Sequence, residues 1–292
     1  VQGTTPNATT GRINNAGGKW LAGEVFNIGV LSLNNTQGSL LHIQKYLYLN
    51  LKEQLDNREG RLQSGQAFKL DAQTLNNASG TIGGQQQLAF RILGEFDNAG
   101  DDLRSNGDQQ ITAASIDNRQ GVFRSRGVLA LTAAQLDNTN GTLISQGNGI
   151  YRIEMLDNRQ GKVHNGETLT LDGRQVNNQR GQLVSSQALT LKENQLDNSG
   201  QRTLSSLAAL EVHADHLDNR DGGPLLGMTH TSVTARDIDN IAVWLQSAGT
   251  LSLIGVSTLN NRQWRILANE CQTSTDRLAA HSTQPKWQTG EC

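Results

Sequence analysis

LDNRQG, at residues 156–161, returns as IDNRQG at 116–121, and close relatives of it recur along the whole chain. An Asp-Asn pair beside an Arg could be a catalytic cluster, a ligand set or a turn, and repetition separates these readings. Aligned on the second letter of the pair, the copies fall at Asn15, Asn35, Asn57, Asn77, Asn98, Asn118, Asn138, Asn158, Asn178, Asn198, Asn219, Asn240 and Asn261. Successive spacings are 20, 22, 20, 21, 20, 20, 20, 20, 20, 21, 21 and 21 residues. A period of this length held over thirteen copies marks a solenoid.

Within one period, Gly121, Phe123, Ser125, Gly127, Leu129, Leu131, Ala133 and Leu136 alternate with polar residues in short runs. That is strand periodicity, about three strands to a period. One such coil cannot bury its inward face alone. Stacked coils pair each strand in parallel with its copies above and below, which predicts an all-β, right-handed parallel β-helix of about thirteen coils. Leu55, Leu75, Phe96, Ile116, Leu136, Leu156, Val176, Leu196, Leu217, Ile238 and Leu259 are expected to form one inward ladder. The Asn two residues later faces inward again, so Asn57, Asn77, Asn98, Asn118, Asn138, Asn158, Asn178, Asn198, Asn219 and Asn240 form a structural column whose amides bond their own turn and their copies. The Asp between them points outward, where Arg58, Arg119, Arg159 and Arg220 offset the repulsion of stacked carboxylates. Gly161 and its equivalents permit the turn.

Composition narrows the class. Aromatics make up only 4% of 292 residues, so small apolar side chains are expected to fill a narrow interior. A net charge of −2, with both signs spread along the chain, carries no footprint for nucleic acid. No stretch reaches the ~20 consecutive apolar residues of a membrane-spanning helix, and the opening Val1-Gln2-Gly3-Thr4 reads as the start of an internal fragment of a longer protein. The two cysteines, Cys271 and Cys292, both fall in the last 22 residues, suggesting a disulfide in an oxidising compartment. Its loop closure would contribute roughly 3 kcal/mol.

The recurring LDNxxGxLxSxGxLxLxA pattern, as in LDNTNGTLISQGNGIYRIEM at 136–155, resembles the filamentous hemagglutinin repeat of two-partner-secreted exoproteins. That group includes adhesins and contact-dependent growth inhibition proteins of Gram-negative bacteria. The resemblance runs from about Ile13 to Asn261 and implies a right-handed β-helical filament, exported through an outer-membrane transporter and displayed at the cell surface. It implies a receptor protein or glycan on a target cell, and it fixes neither receptor nor cargo. No VENN boundary of a toxin domain is present. Residues 1–261 are thus expected to be the β-helix, and residues 262–292 a disulfide-stapled C-terminal cap or binding extension. The chain is expected to be a monomer without cofactor.

Departures from the repeat are where a partner would be met. In LLHIQKYLYLNLKEQ, the alternation that turns Leu47, Leu49 and Leu51 inward puts Tyr46 and Tyr48 outward, near Lys45 and His42; the plainer reading is a bulged coil. In NRDGGPLLGMTHTSVTARDIDN, Gly222-Gly223-Pro224 favour an altered corner or a protruding loop carrying Met228 and His230. A lone His is no metal site. Tyr151 aligns with Leu131 and is expected in the core, filling space left by Gly149. After Asn261 the column stops, Trp264 and Trp287 appear, and STDRLAAHS could form a short helix across the end of the stack.

A parallel β-helix can also carry a polysaccharide lyase or hydrolase. Such catalysis needs one local pair of carboxylates roughly 5 to 9 Å apart, whereas the Asp column offers a carboxylate in nearly every coil and singles out none. No G-x-S-x-G elbow or G-x-x-x-x-G-K-[ST] loop occurs. The reading is therefore a non-enzymatic stalk segment that also touches a partner.

Overall fold

A computed structural model describes residues 11–274 except 24, 44, 201–202, 243, 263–265 and 269. The described residues contain strands and no helix. They form an all-β parallel solenoid of about twelve turns: thirteen corner asparagines bound twelve intervals, one fewer than the coil count expected from the column. Two compact units divide the chain, Val1–Gly147 and Asn148–Cys292.

In the first unit most turns give a four- to six-residue strand to each of two stacks, with Trp20–Ala22 shorter and Leu129–Asp137 longer. Thr81–Gly84 pairs in parallel with Arg61–Ser64 on one side and Asp102–Ser105 on the other. Leu88–Ile92 pairs likewise with Phe68–Ala72 and Gln109–Thr112. A short strand such as Ser115–Asp117 leads into the corner. The second unit repeats the scheme, with Leu169–Asn177 lying between Gly149–Asp157 and the strands Leu189–Lys192 and Gln195–Asp197. It continues past Asn261, because Ile266–Leu267 pairs with Leu245–Ser247 and Glu270–Ser274 pairs with Thr250–Ile254. Cys271 is on that last strand. Cys292 and the STDRLAAHS helix from Thr275 onward lie outside the described residues, and no disulfide is found among the described ones.

Inward ladders fill the interior. Leu55, Leu75, Phe96, Ile116 and Leu136 are at most 2% exposed, as are Leu62, Ile82, Leu103, Phe123 and Leu143. The first unit's core is more aromatic than composition suggested. Phe68 meets Phe90 edge-on at 4.9 Å, and Phe96 stacks on Phe123 at 5.6 Å, so the few rings are spent together in one interior.

The corner asparagines form hydrogen-bonded columns. In the first unit Nδ2 of each donates to Oδ1 of the next, from Asn15 through Asn35, Asn57, Asn77, Asn98 and Asn118 to Asn138, at 2.6 to 2.9 Å. The second unit carries the same chain from Asn158 through Asn178, Asn198, Asn219 and Asn240 to Asn261, at 2.6 to 2.8 Å. A buried amide left unpaired costs about 1–3 kcal/mol; here every copy satisfies its neighbour. The opposite corner uses serine. Ser125 Oγ shares its one proton between Gly107 O at 2.7 Å and Val128 O at 3.0 Å, and Ser64 and Ser105 lie between equivalent pairs of carbonyls.

The corner glycine does a different job from the one expected. The left-handed backbone falls one residue earlier, on Glu59, Ser79, Gln120 and Asn140, with φ of 55°, 56°, 59° and 56°. Gly121 is required by proximity: a Cβ there would lie 2.3 Å from Asn98 O and 2.5 Å from Asn118 Oδ1. Glycine lets one corner close against the next, and the turn itself is held by the Asx residue before the asparagine.

The two extra residues of the 22-residue period are absorbed separately. Register slips by one between Ser39 and Leu41. It slips again near Glu53, whose carbonyl accepts from both Gln73 N and Thr74 N. Around Gly222-Gly223-Pro224 no loop protrudes; the corner keeps its geometry, with Asp221 at φ 46° and Leu225–Gly227 paired on both sides, because Gly222 stands at the usual corner position. Tyr151 is fully buried, yet the space beside Gly149 is taken by Asn165, whose Nδ2 lies 2.3 Å from where a Cβ would be.

Two pairs of variants test these assignments by urea denaturation. Asn118→Leu strands a donor on Asn98 and an acceptor on Asn138 and should cost about 3 kcal/mol or more, whereas Asp117→Ser should cost about 1 kcal/mol or less. Equal losses would overturn the column as the structural element. Gly121→Ala should destabilise by about 1–3 kcal/mol through overpacking, while Gln120→Gly, at the left-handed position, should stay within roughly 1 kcal/mol of the parent.

Candidate functional site

On the first unit's outward face, the strand Tyr46–Leu51 alternates as the sequence predicts, with Leu47, Leu49 and Leu51 buried and Tyr46 and Tyr48 half-buried above them. Their rings are stacked, with centroids 6.1 Å apart and planes at 7°. The cation beside them is Lys69 of the next coil, whose Nζ is 5.8 Å from the Tyr48 centroid, because Tyr48 and Lys69 are in register. His42 lies on a strand in the other stack, paired with Gln63. Next to the tyrosines, Val25 pairs with Tyr46 and is 43% exposed. Two rigid rings, an exposed aliphatic side chain and a cation thus meet on one surface, an arrangement suited to contact with a protein or a glycan.

The other candidates are scattered. His230 begins the strand His230–Asp239 in the second unit, half-buried, with Nδ1 2.5 Å from Thr250 Oγ1. Met228, beside it in sequence, is exposed, as are Leu207 and Trp244. Trp264 and Trp287 lie outside the described residues.

The Asp column proves to be part of the turn. Asp56, Asp97, Asp117, Asp137, Asp157, Asp197 and Asp218 each accept the N–H two residues on through Oδ1, at 2.9 to 3.2 Å. Asn14, Asn34, Asn76 and Asn177 do the same where they replace Asp. Both residue types supply the same oxygen, which is why they interchange here. Arg58, Arg119, Arg159 and Arg220 then pair with the remaining carboxylate oxygen. Partial burial alone would raise the Asp56, Asp117 and Asp218 carboxyls, but the arginine and backbone hydrogen bonds outweigh it and hold them below the ordinary carboxylate range. These groups are occupied in holding corners. Among the described residues no group of three or more His, Cys, Asp or Glu could hold a metal ion.

Sequence reasoning passed over one buried acid. Glu193 stands where other coils place Ala113, Ala133, Ile153 or Ala235, and is 6% exposed with neither carboxyl oxygen hydrogen-bonded. Burial, reinforced by the Asp172 carboxylate, pushes its pKa from 4.5 up to about 8. Its coil has the ordinary period, so nothing in the spacing drew attention to it. Residue-by-residue comparison of the third inward position would have found it.

A model of the haemagglutinin repeat matches residues 3–100, 81–148, 154–219 and 231–280. No curated protein and no solved structure matches the chain.

Glu193 carries a pH-dependent signature. Below about pH 4.5 the acid is protonated in folded and unfolded chains alike and costs nothing extra. Between about 4.5 and 8 the unfolded chain ionises while the folded one retains its proton, so stability should fall as pH rises, by on the order of a few kcal/mol in total. Glu193→Ala should remove that slope from urea denaturation curves measured between about pH 6 and 8, above the range in which the Asp101 carboxyl, raised by burial to about 6, adds a slope of the same sign. An unchanged slope would show that Glu193 does not titrate this way.

Proposed function

The chain belongs to the haemagglutinin-repeat family, and from that premise we propose that it is an internal segment of a cell-surface exoprotein of a Gram-negative bacterium. In this reading the segment leaves the cell through a dedicated outer-membrane transporter by two-partner secretion. It then serves as a stiff β-helical stalk that also contributes to receptor recognition, in adhesion or in contact-dependent toxin delivery. Its role is mechanical and adhesive, with no catalytic step. The stalk part is supported by the fold: a parallel solenoid whose corner asparagines are paired from coil to coil suits a filament of repeats.

The observation that carries the recognition part is the Tyr46–Tyr48 pair with Lys69 and Val25. Regular coils need no aromatic pair on their outer face, and this one lies within the period that departs most from the rule. The Asx-turn and arginine bonds of the Asp column speak against the enzymatic alternative, since they spend the carboxylates on the corners.

Binding of the purified chain to cells that its parent exoprotein recognises tests the reading. Tyr46→Ala/Tyr48→Ala should reduce cell binding by roughly ten-fold or more, as expected for loss of aromatic anchors, while leaving the denaturation midpoint nearly unchanged. Full binding by the double variant would remove the tyrosine pair as the contact. No binding by the parent chain would leave the stalk role alone.

A further inference from the structure

The outward face of the strands Arg61–Ser64, Thr81–Gly84, Asp102–Ser105 and Val122–Ser125 holds a second feature of the first unit. Parallel register sets its residues in rows: Arg61, Thr81, Asp102 and Val122 in one, and Gln63, Gly83, Arg104 and Arg124 in the next. Arg126 follows at the corner. Four guanidiniums therefore face outward against one carboxylate, Asp102, in a chain whose net charge is −2. Arg104 is paired with Asp102, and Arg61 Nη2 reaches Gln63 Oε1 at 3.2 Å. Among the described residues, the guanidiniums of Arg124 and Arg126 have no ion-pair or hydrogen-bond partner and the side chains are exposed.

Arg104 and Arg124 are directly in register, about 4.8 Å apart along the stack. Like charges so placed are unfavourable across neighbouring strands, and stacking itself asks for neither. Beside them Gly83 leaves a dent in the grid, flanked in register by Gln63 and Arg104. A Cβ built there meets nothing within 4 Å. The result is an open groove of about 250 Å³, floored by the Gly83–Gly84 backbone and walled by Arg61 and Arg104, with Arg124 and Arg126 on the same face beyond its lining.

From this geometry we infer that the face binds an anionic polysaccharide, one sugar ring resting in the groove at Gly83 with its sulfate or carboxylate group on Arg61, and the anionic groups of neighbouring sugars held beyond the groove by Arg124 and Arg126. Guanidinium forks match such oxyanions in paired hydrogen bonds. The groove's lining has no aromatic side chain on which a nucleobase could stack and no apolar ridge that could enter a lipid layer. This site is separate from the tyrosine pair, and its test does not depend on it.

The test uses the full chain with dextran sulfate and alginate as probes, and neutral dextran and a single-stranded oligonucleotide as comparators. The expected result is salt-sensitive binding to a sulfated or carboxylated probe, tighter than to either comparator. Arg124→Gln/Arg126→Gln should weaken it roughly ten-fold or more, the loss of at least one charge-assisted hydrogen bond. Gly83→Leu should weaken it comparably with every charge in place and the denaturation midpoint unchanged, since the new side chain fills only the groove. Tyr46→Ala/Tyr48→Ala should leave it intact. Full affinity in Gly83→Leu would reduce the effect to diffuse electrostatics and overturn the groove. Equal binding of neutral dextran or of the oligonucleotide, or no binding of either anionic probe, would overturn the ligand class.

Discussion

Every part of this structure depends on one constraint: each residue that faces the interior lies about 4.8 Å from its copy in the next coil. An apolar side chain meets that condition easily, because leucine packs on leucine. A polar one meets it only when it is both donor and acceptor, so that a column of copies can satisfy itself. Asparagine has that property through its amide; serine, at the opposite corner, turns instead to the backbone carbonyls of its own and the preceding coil. Glu193 has no such column, since the residues at its position in other coils are Ala, Ile and Gly and offer its carboxyl no partner. Gly121 obeys the same rule in steric form, because the approach that joins the asparagines leaves no room for a Cβ between them.

The constraint also explains what could be read in advance. Leu136 and Asn138 were legible because recurrence at one period is the direct sign of stacking, and their burial and bonding match that expectation. The glycine was misread, since its position in a corner suggests a backbone role. The left-handed residue before it varies among Glu, Ser, Gln and Asn and leaves no compositional mark. Alternation places Asp157 outward in solvent, but its Oδ1 accepts the N–H of Arg159, a side-chain-to-backbone bond that side-chain patterning does not announce.

Surface features were harder for a geometric reason. Tyr46 and Tyr48 belong to one strand, so alternation alone placed them together. Lys69 came from the next coil, where Lys45 had been expected. Arg61, Arg104, Arg124 and Arg126 are neighbours only across the strands, at right angles to the direction in which a sequence is scanned. In a solenoid, surface patches are assembled along the stack, and the period must be folded into rows before they become visible. The same folding exposes Glu193 as a single acid in a column of Ala, Ile and Gly.

The asparagine columns have one further property. In both units every Nδ2 points toward the higher-numbered coil and every Oδ1 toward the lower, with no reversal. Amide dipoles aligned in this way add and polarise one another. A stack of such coils therefore has unlike ends, as a magnet or a growing polymer does: one offers hydrogen, the other oxygen. A further coil could join either end only in the same sense as those already present. Two like ends brought together would face oxygen to oxygen or hydrogen to hydrogen. The buried amide that holds the corner thus also gives the stack an arrow.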